Sequence, residues 1–212
     1  MATTTRQPET STDQVIRLNV PWQAYEVLSE SLGDTGGARL TYDGETLEIT
    51  APGFLHEAIT ARFTELLRDV KAEWSIPMRS TRSSRFKSDV SENGFEPDES
   101  YYIRSAPKIR DWRNIDLTND PPPDLVIEVD ISGKRRNSDI YARVGVPEFW
   151  RYSEADGLEA FALVDGAYAA ITTSRILPGL PIAEIAARVT DDTESLEELH
   201  AWREWLRANR PQ

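Results

Sequence analysis

Cysteine is absent from all 212 residues, which excludes disulfides, thiolate metal sites and a cysteine nucleophile. Any bound ion would therefore rest mainly on oxygen ligands, which favours magnesium or manganese over zinc. Long apolar runs are also missing. No stretch approaches the roughly 18 apolar residues of a membrane-spanning helix, and residues 1–13 lack the apolar centre of a signal peptide. The expectation is a cytoplasmic chain with no membrane partner. Basic residues are in deficit, with 24 Lys and Arg against 36 Asp and Glu and a net charge of −12. That balance argues against a nonspecific nucleic-acid coat protein. It leaves a nuclease open, because a carboxylate cluster that recruits metal is itself acidic and phosphate contacts need only a local patch.

A composition that is 39% hydrophobic with six Trp supplies one core, and the length suits a single domain. Residues 1–15 are polar and read as a flexible tail, with residues 16–212 as the domain. Trp22, Tyr25, Val27, Leu28 and Leu32 fit a short helix over 21–32 that ends near Gly33. The period then changes. Asp43-Gly44 between two alternating segments, 39–42 and 45–50, is a strong hairpin signal. Ile59, Phe63, Leu66, Val70 and Trp74 make one stripe of a helix over 55–74. Strands are expected at 80–86, 99–103, 125–130 and 148–152. A second hairpin, 158–164 with 168–173, turns at Asp165-Gly166. Short helices are expected at 138–144 and 182–189, and a longer one at 193–209 behind a Thr193/Ser195 cap. Residues 104–123 are a long polar, proline-rich connection of the kind that carries function or varies. The pattern is that of a single α/β (α+β) domain.

Two runs carry chemistry: Phe95-Glu96-Pro97-Asp98-Glu99 and Pro123-Asp124-Leu125-Val126-Ile127-Glu128-Val129-Asp130. Each sets carboxylates against an apolar strand. Glu128 and Asp130 share a strand face by alternation, and Glu128 follows a run that should be buried on both sides. A buried carboxylate costs several kcal/mol unless compensated, so a divalent cation or a structural arginine must answer it. Asp98 and Glu128 suit an octahedral ion if their strands are neighbours, with Asp130 and Glu57 as further ligands. Taken singly, the residues have plainer readings: Asp98 as a turn residue, Glu57 as a helix-dipole partner, and His56 as a local cap or phosphate contact. Arg79, Arg82, Arg85 and Lys87 form a basic stretch that would touch phosphate or simply face solvent. His200 lies away from every motif.

The order His56-Glu57, Gly94 to Ile103, Pro123 to Ile131 and Ile140 to Tyr152, the last reading Ile-Tyr-Ala-Arg-Val-Gly-Val-Pro-Glu-Phe-Trp-Arg-Tyr, resembles the Uma family of endonucleases. That family belongs to the restriction-endonuclease-like PD-(D/E)XK superfamily, and the likeness runs from about residue 20 to about residue 165. It implies a central mixed β-sheet flanked by helices, with an N-terminal hairpin and a C-terminal helix, and a magnesium- or manganese-dependent endonuclease site acting on DNA. In that site Glu57 would be the helix carboxylate, Asp98 the strand aspartate and Glu128 the opening acid of the (D/E)XK triplet. Asp130 stands where the superfamily has lysine, and Asn137 stands where family members often supply a later basic residue. Lys87 and Lys134 are then the candidate cations. The alternative is a nuclease fold kept for binding or assembly with catalysis weakened or lost, and a third reading is a hydrolase of small phosphoesters. Double-strand cutters often work as two-fold dimers, and the helix bearing Trp202 and Trp205 would serve a homodimer interface or, in the preferred reading, cover the sheet.

Overall fold

The structure is a computed structural model, and it describes residues 13–33, 37–113, 115–133, 138–189 and 195–211. It contains two sheets. The first is five-stranded and antiparallel, in the order β1-β3-β2-β6-β5. Its strands are β1 (Gln14–Asn19), β2 (Arg39–Tyr42), β3 (Thr46–Ala51), β5 (Phe86–Ser88) and β6 (Asn93–Phe95). The second is six-stranded and mixed, in the order β11-β10-β9-β8-β7-β4. It comprises β4 (Arg79–Ser80), β7 (Glu99–Tyr102), β8 (Leu125–Val129), β9 (Glu148–Ser153), β10 (Gly157–Val164) and β11 (Ala167–Ile171). Only β8 and β9 run parallel in it, and the connection between them carries helix α3 (Ser138–Val144).

Both hairpins form where Asp-Gly places them. Asp43 Oδ1 accepts the amides of Glu45 and Thr46 at 3.0 and 2.8 Å, and Gly44 takes the positive φ of 105° that the turn needs. Helix α1 (Trp22–Leu32) lays Trp22 and Tyr25 against Tyr42, with ring centroids 4.8 to 5.6 Å apart, and so covers the first sheet. Helix α2 (Phe54–Trp74) and helix α5 (Leu196–Ala208) cover one face of the second sheet. There Phe63, Leu67 and Val70 meet Ile127, Val129, Trp150 and Trp202 in the largest apolar cluster. α5 starts at a capping box between Ser195 and Glu198. A short helix, α4 (Ile182–Ala186), joins the same cluster. No helix among the described residues is long and apolar enough to cross a membrane.

The two sheets meet through a second cluster, in which Phe86 and Phe95 of the first pack with Tyr102, Val126 and Phe149 of the second and with Tyr141 of α3. The segment expected as one strand over 80–86 is split between the sheets. Arg82 has φ 49°, and Thr81 O accepts from both the amide and the hydroxyl of Ser84. This turn redirects the chain from β4 in the second sheet to β5 in the first. Residues 96–98 carry it back from β6 to β7. The chain therefore changes sheets twice within twenty residues, and a cleft opens at that junction.

Candidate nucleic-acid cleft

The cleft has a volume of about 880 Å³ and is lined by Arg39, Arg79, Arg82, Arg85, Lys87 and Arg113 together with Glu57, Glu96 and Asp98. Six cations against three carboxylates make it a locally basic patch in an acidic chain. The stretch Arg79, Arg82, Arg85 and Lys87 is thus gathered in space. Its members differ in freedom. Arg79 lies over Trp112, 4.0 Å from the ring centroid, a cation–π contact that leaves its charge at the wall. Arg82 is 68% exposed, 3.9 Å from Glu99. Lys87 sits 3.3 Å from the exposed Asp89. Arg85 is committed: it bonds Glu96 at 2.5 Å and the carbonyls of Ser29 and Gly33 at 2.8 and 3.0 Å, which ties the end of α1 to the strand. Burial pushes the Glu96 carboxyl above its ordinary value, and Arg85 pulls part of that back.

Asp98 lies on the cleft floor and is 1% exposed. β7 pairs with β8 so that Glu99 faces Ile127, and the next step of that register sets Asp98 opposite Glu128. The expected neighbour relation of the two strands holds. Asp98 is already well bonded, however. Its Oδ2 accepts the Val129 amide at 2.7 Å, and its Oδ1 meets Arg39 Nη1 at 2.8 Å and His56 Nε2 at 2.9 Å. Behind it, His56 Nδ1 reaches Asp13 Oδ2 at 2.9 Å, and Asp13 Oδ1 accepts the Gly53 amide at 2.9 Å. Asp13 thus serves as the anion for the first turn of α2, although it comes from the residue before β1. Arg39 completes the group by giving Nη2 to Glu57 Oε1 at 3.0 Å.

His56 is fully buried. Burial alone pushes its imidazole down, but the hydrogen bonds and charges of Asp13 and Asp98 outweigh it and raise the pKa to about 9. Its Nε2 also lies 2.8 Å from Arg39 Nη1. With a carboxylate on each ring nitrogen the ring is an imidazolium, and that short approach is between two donors sharing Asp98 Oδ1 as acceptor.

Glu128, opposite Asp98 across the strand pair, and Asp130 stand outside the lining of this cleft. Glu128 is 2% exposed and points to the α3 side of β8, where its Oε1 accepts the Tyr141 hydroxyl. It does not line the cleft. Asp130, just past the end of β8, donates its amide to Tyr152 O at 2.8 Å and accepts the Ser132 hydroxyl at 3.0 Å. It lines a separate cleft of about 500 Å³ with Arg151, Ser153 and Asp156. Asp124, from the same run, is a structural cap for the amides of Ile103 and Ser105. Lys134 and Asn137 lie outside the described residues. Among the described residues no group of three or more His, Asp or Glu side chains is disposed to hold a metal ion. Of the expected set, Asp98 is held by Arg39 and His56, Glu57 shares Arg39 with it, Glu128 stands opposite it across the strand pair, and Asp130 lines the other cleft, so Arg39 and His56 would have to yield before the group held an ion.

Arg39 and Asp13 are the residues that sequence reasoning missed. Arg39 reads as one polar position of a hairpin strand, and Asp13 as part of a polar tail. Only the requirement that a buried carboxylate find a cation pointed toward the former, and it named no position.

The comparisons agree with this architecture. A solved structure titled as a putative nuclease belonging to DUF820 from Anabaena variabilis matches 87% of this chain and 99% of its own at 16% identity, with a TM-score of 0.51, which shows a shared fold. Comparison with curated proteins gives no match. The family model described as “Uma2: Putative restriction endonuclease” matches residues 22–189, a span holding the second sheet, all of the first but its edge strand β1, and the whole Arg39–His56–Asp98 group. The chain belongs to the Uma2 restriction endonuclease family.

Proposed function

We propose that the chain is a nuclease that engages DNA by its sugar–phosphate backbone in the cleft between the two sheets. The observation that carries this reading is the gathering of six Lys and Arg side chains around one cleft in a chain of net charge −12. A backbone groove needs that local field and little else. Arg79, Arg82, Lys87 and Arg113 supply the wall charge, and Asp98 sits on the floor with Arg39 and His56. Family membership supports phosphodiester hydrolysis. Asp98 as placed is held by Arg39 and His56, which would have to yield before it could ligate a magnesium ion.

That same arrangement favours a second reading, a nuclease fold that binds nucleic acid with little turnover. The (D/E)XK lysine position is Asp130, in another cleft, and the strand aspartate is internally neutralised. One experiment separates the two. Binding of a labelled duplex is followed by anisotropy, and nicking of supercoiled plasmid by gel, in EDTA, Mg²⁺ and Mn²⁺. The nuclease reading expects binding that weakens in Arg79→Ala/Arg82→Ala, and nicking that is lost in Asp98→Asn. Binding without nicking in any condition selects the second reading. Absence of binding, or binding indifferent to Arg79 and Arg82, sinks both.

A further inference from the structure

Arg39 is shared between two carboxylates of opposite character. Asp98 is fixed: its side chain has no exposure, and the Val129 amide and His56 hold it in addition to Arg39. Glu57 is movable: its side chain is 51% exposed, it sits in the first turn of α2 and it lines the open cleft. Arg39 itself is 10% exposed, and its Nη2 is turned toward Glu57 at 3.0 Å. The fork is thus anchored from behind by Nη1 and offers Nη2 toward the cleft.

A guanidinium N–H donates to a carboxylate oxygen and to a phosphate oxygen in the same way, so what Nη2 gives to Glu57 it can give to a phosphate. The charges point the same way. Arg39 and His56 balance Asp13 and Asp98, which leaves Glu57 as the surplus anion of the group. A phosphodiester carries one negative charge and would replace Glu57 without changing that sum. The remaining cleft cations, Arg79, Arg82 and Lys87, would then meet the flanking phosphates.

We propose that Arg39 is the phosphate receptor on the cleft floor and that Glu57 is its placeholder, displaced by a nucleic-acid backbone phosphate when the cleft fills. This rests on the reading of the cleft as a backbone groove. It differs from the expectation that Glu57 helps to hold a metal ion: a placeholder competes with nucleic acid, whereas a ligand would assist it.

The test is an anisotropy titration of a short fluorescein-labelled DNA duplex in EDTA at fixed low salt, using the full chain. Glu57→Gln should tighten binding by about two- to fivefold, the span expected for removing a half-exposed competing ion pair. Arg39→Ala should weaken binding and reduce the salt-dependence slope by about one phosphate contact. Arg39→Ala/Glu57→Gln should bind no better than Arg39→Ala. Glu57→Gln lies at an exposed position, and Arg39→Lys keeps the charge while losing the fork, so this pair tests the idea even if Arg39→Ala does not fold. In the Arg39→Lys background the gain from Glu57→Gln should shrink. Unchanged or weaker binding by Glu57→Gln overturns the proposal, as does an equal gain in the Arg39 variants, which would mark a diffuse charge effect. If Arg79→Ala/Arg82→Ala weakens binding while the Arg39 and Glu57 variants match the wild type, the groove stands and the placeholder falls. If the wild type binds no duplex, both fall.

Discussion

Raising the pH should destabilise this protein through His56. Its pKa is about 9 in the folded chain, against an ordinary value of 6.5. Between those values the native state holds a proton that the unfolded chain has released. Stability from this group is therefore complete below about pH 6.5 and is lost as pH rises through about 9. A difference of about 2.5 pK units corresponds to ~3 kcal/mol. The ring is fully buried, so solvent screening takes little from that figure. For a domain of this size it amounts to a fall of about 6–12 °C in Tm.

The assay is thermal unfolding followed by circular dichroism from pH 6 to pH 10 on the wild type and His56→Gln. Other groups titrate in that range, so the quantity to read is the Tm gap between the two proteins. The gap should be widest at the low end, near pH 6, and should close as pH rises through about 9. Asp13→Asn removes one of the two anions on the ring and should move the closure to lower pH. A gap that stays flat from pH 6.5 to pH 9.5 would refute the reasoning. It would mean a neutral ring whose Nε2 accepts from Arg39 Nη1 across 2.8 Å.

Three further outcomes follow from the packing and charge. A millimolar excess of Mg²⁺ or Mn²⁺ should shift Tm by no more than about 1–2 °C, as for an ion near or below half saturation; a shift of many degrees that Asp98→Asn abolishes would show that the ion displaces Arg39 and His56. Glu99 is fully buried, and burial raises its carboxyl pKa despite bonds from Thr64 and Ser80, so the native state is penalised as pH rises above its ordinary range. The Tm of Glu99→Gln relative to the wild type should therefore rise between pH 4.5 and pH 8, and a constant difference would contradict this. Gly94→Ala would push a methyl group into the ring of buried Tyr25, with Cζ at 2.6 Å, and should cost at least about 1–3 kcal/mol of stability by chemical denaturation.

Local signals in the sequence were enough for elements whose geometry is set within a few residues. Asp43-Gly44 and Asp165-Gly166 placed both hairpins, the stripe from Ile59 to Trp74 placed α2, and the Thr193/Ser195 cap put the start of α5 within three residues of where Ser195 caps it. The opposite held for features set by long-range pairing. β1 escaped notice because it is an edge strand, exposed along most of its length, with Ile16 and Leu18 facing solvent, so no burial pattern marks it. β6 is three residues long and is fixed by the close approach of Gly94 to Tyr25. The break in the 80–86 segment depends on a left-handed Arg82, which no glycine announced. Residue types at the site were legible; the partners were not. Asp98 was singled out, yet its cation comes from 59 positions earlier and its second neighbour from the first turn of α2.

The buried carboxylates show how one requirement was met in several ways. Glu99 takes hydroxyls with Arg82 3.9 Å away, Glu128 takes the Tyr141 phenol, Glu148 takes backbone amides and the Trp150 indole, and Asp98 takes two cations. A buried anion needs donors, and neutral donors supply much of that need where the site is closed. Asp98 differs in lying on the floor of an open cleft, with Arg39 between it and solvent. There a full positive charge does what a hydroxyl would not: it leaves an electropositive floor once Glu57 withdraws. The pairing of Asp98 with Arg39 and His56 therefore ties the stability of the junction between the sheets to the capacity of the cleft to receive an anion.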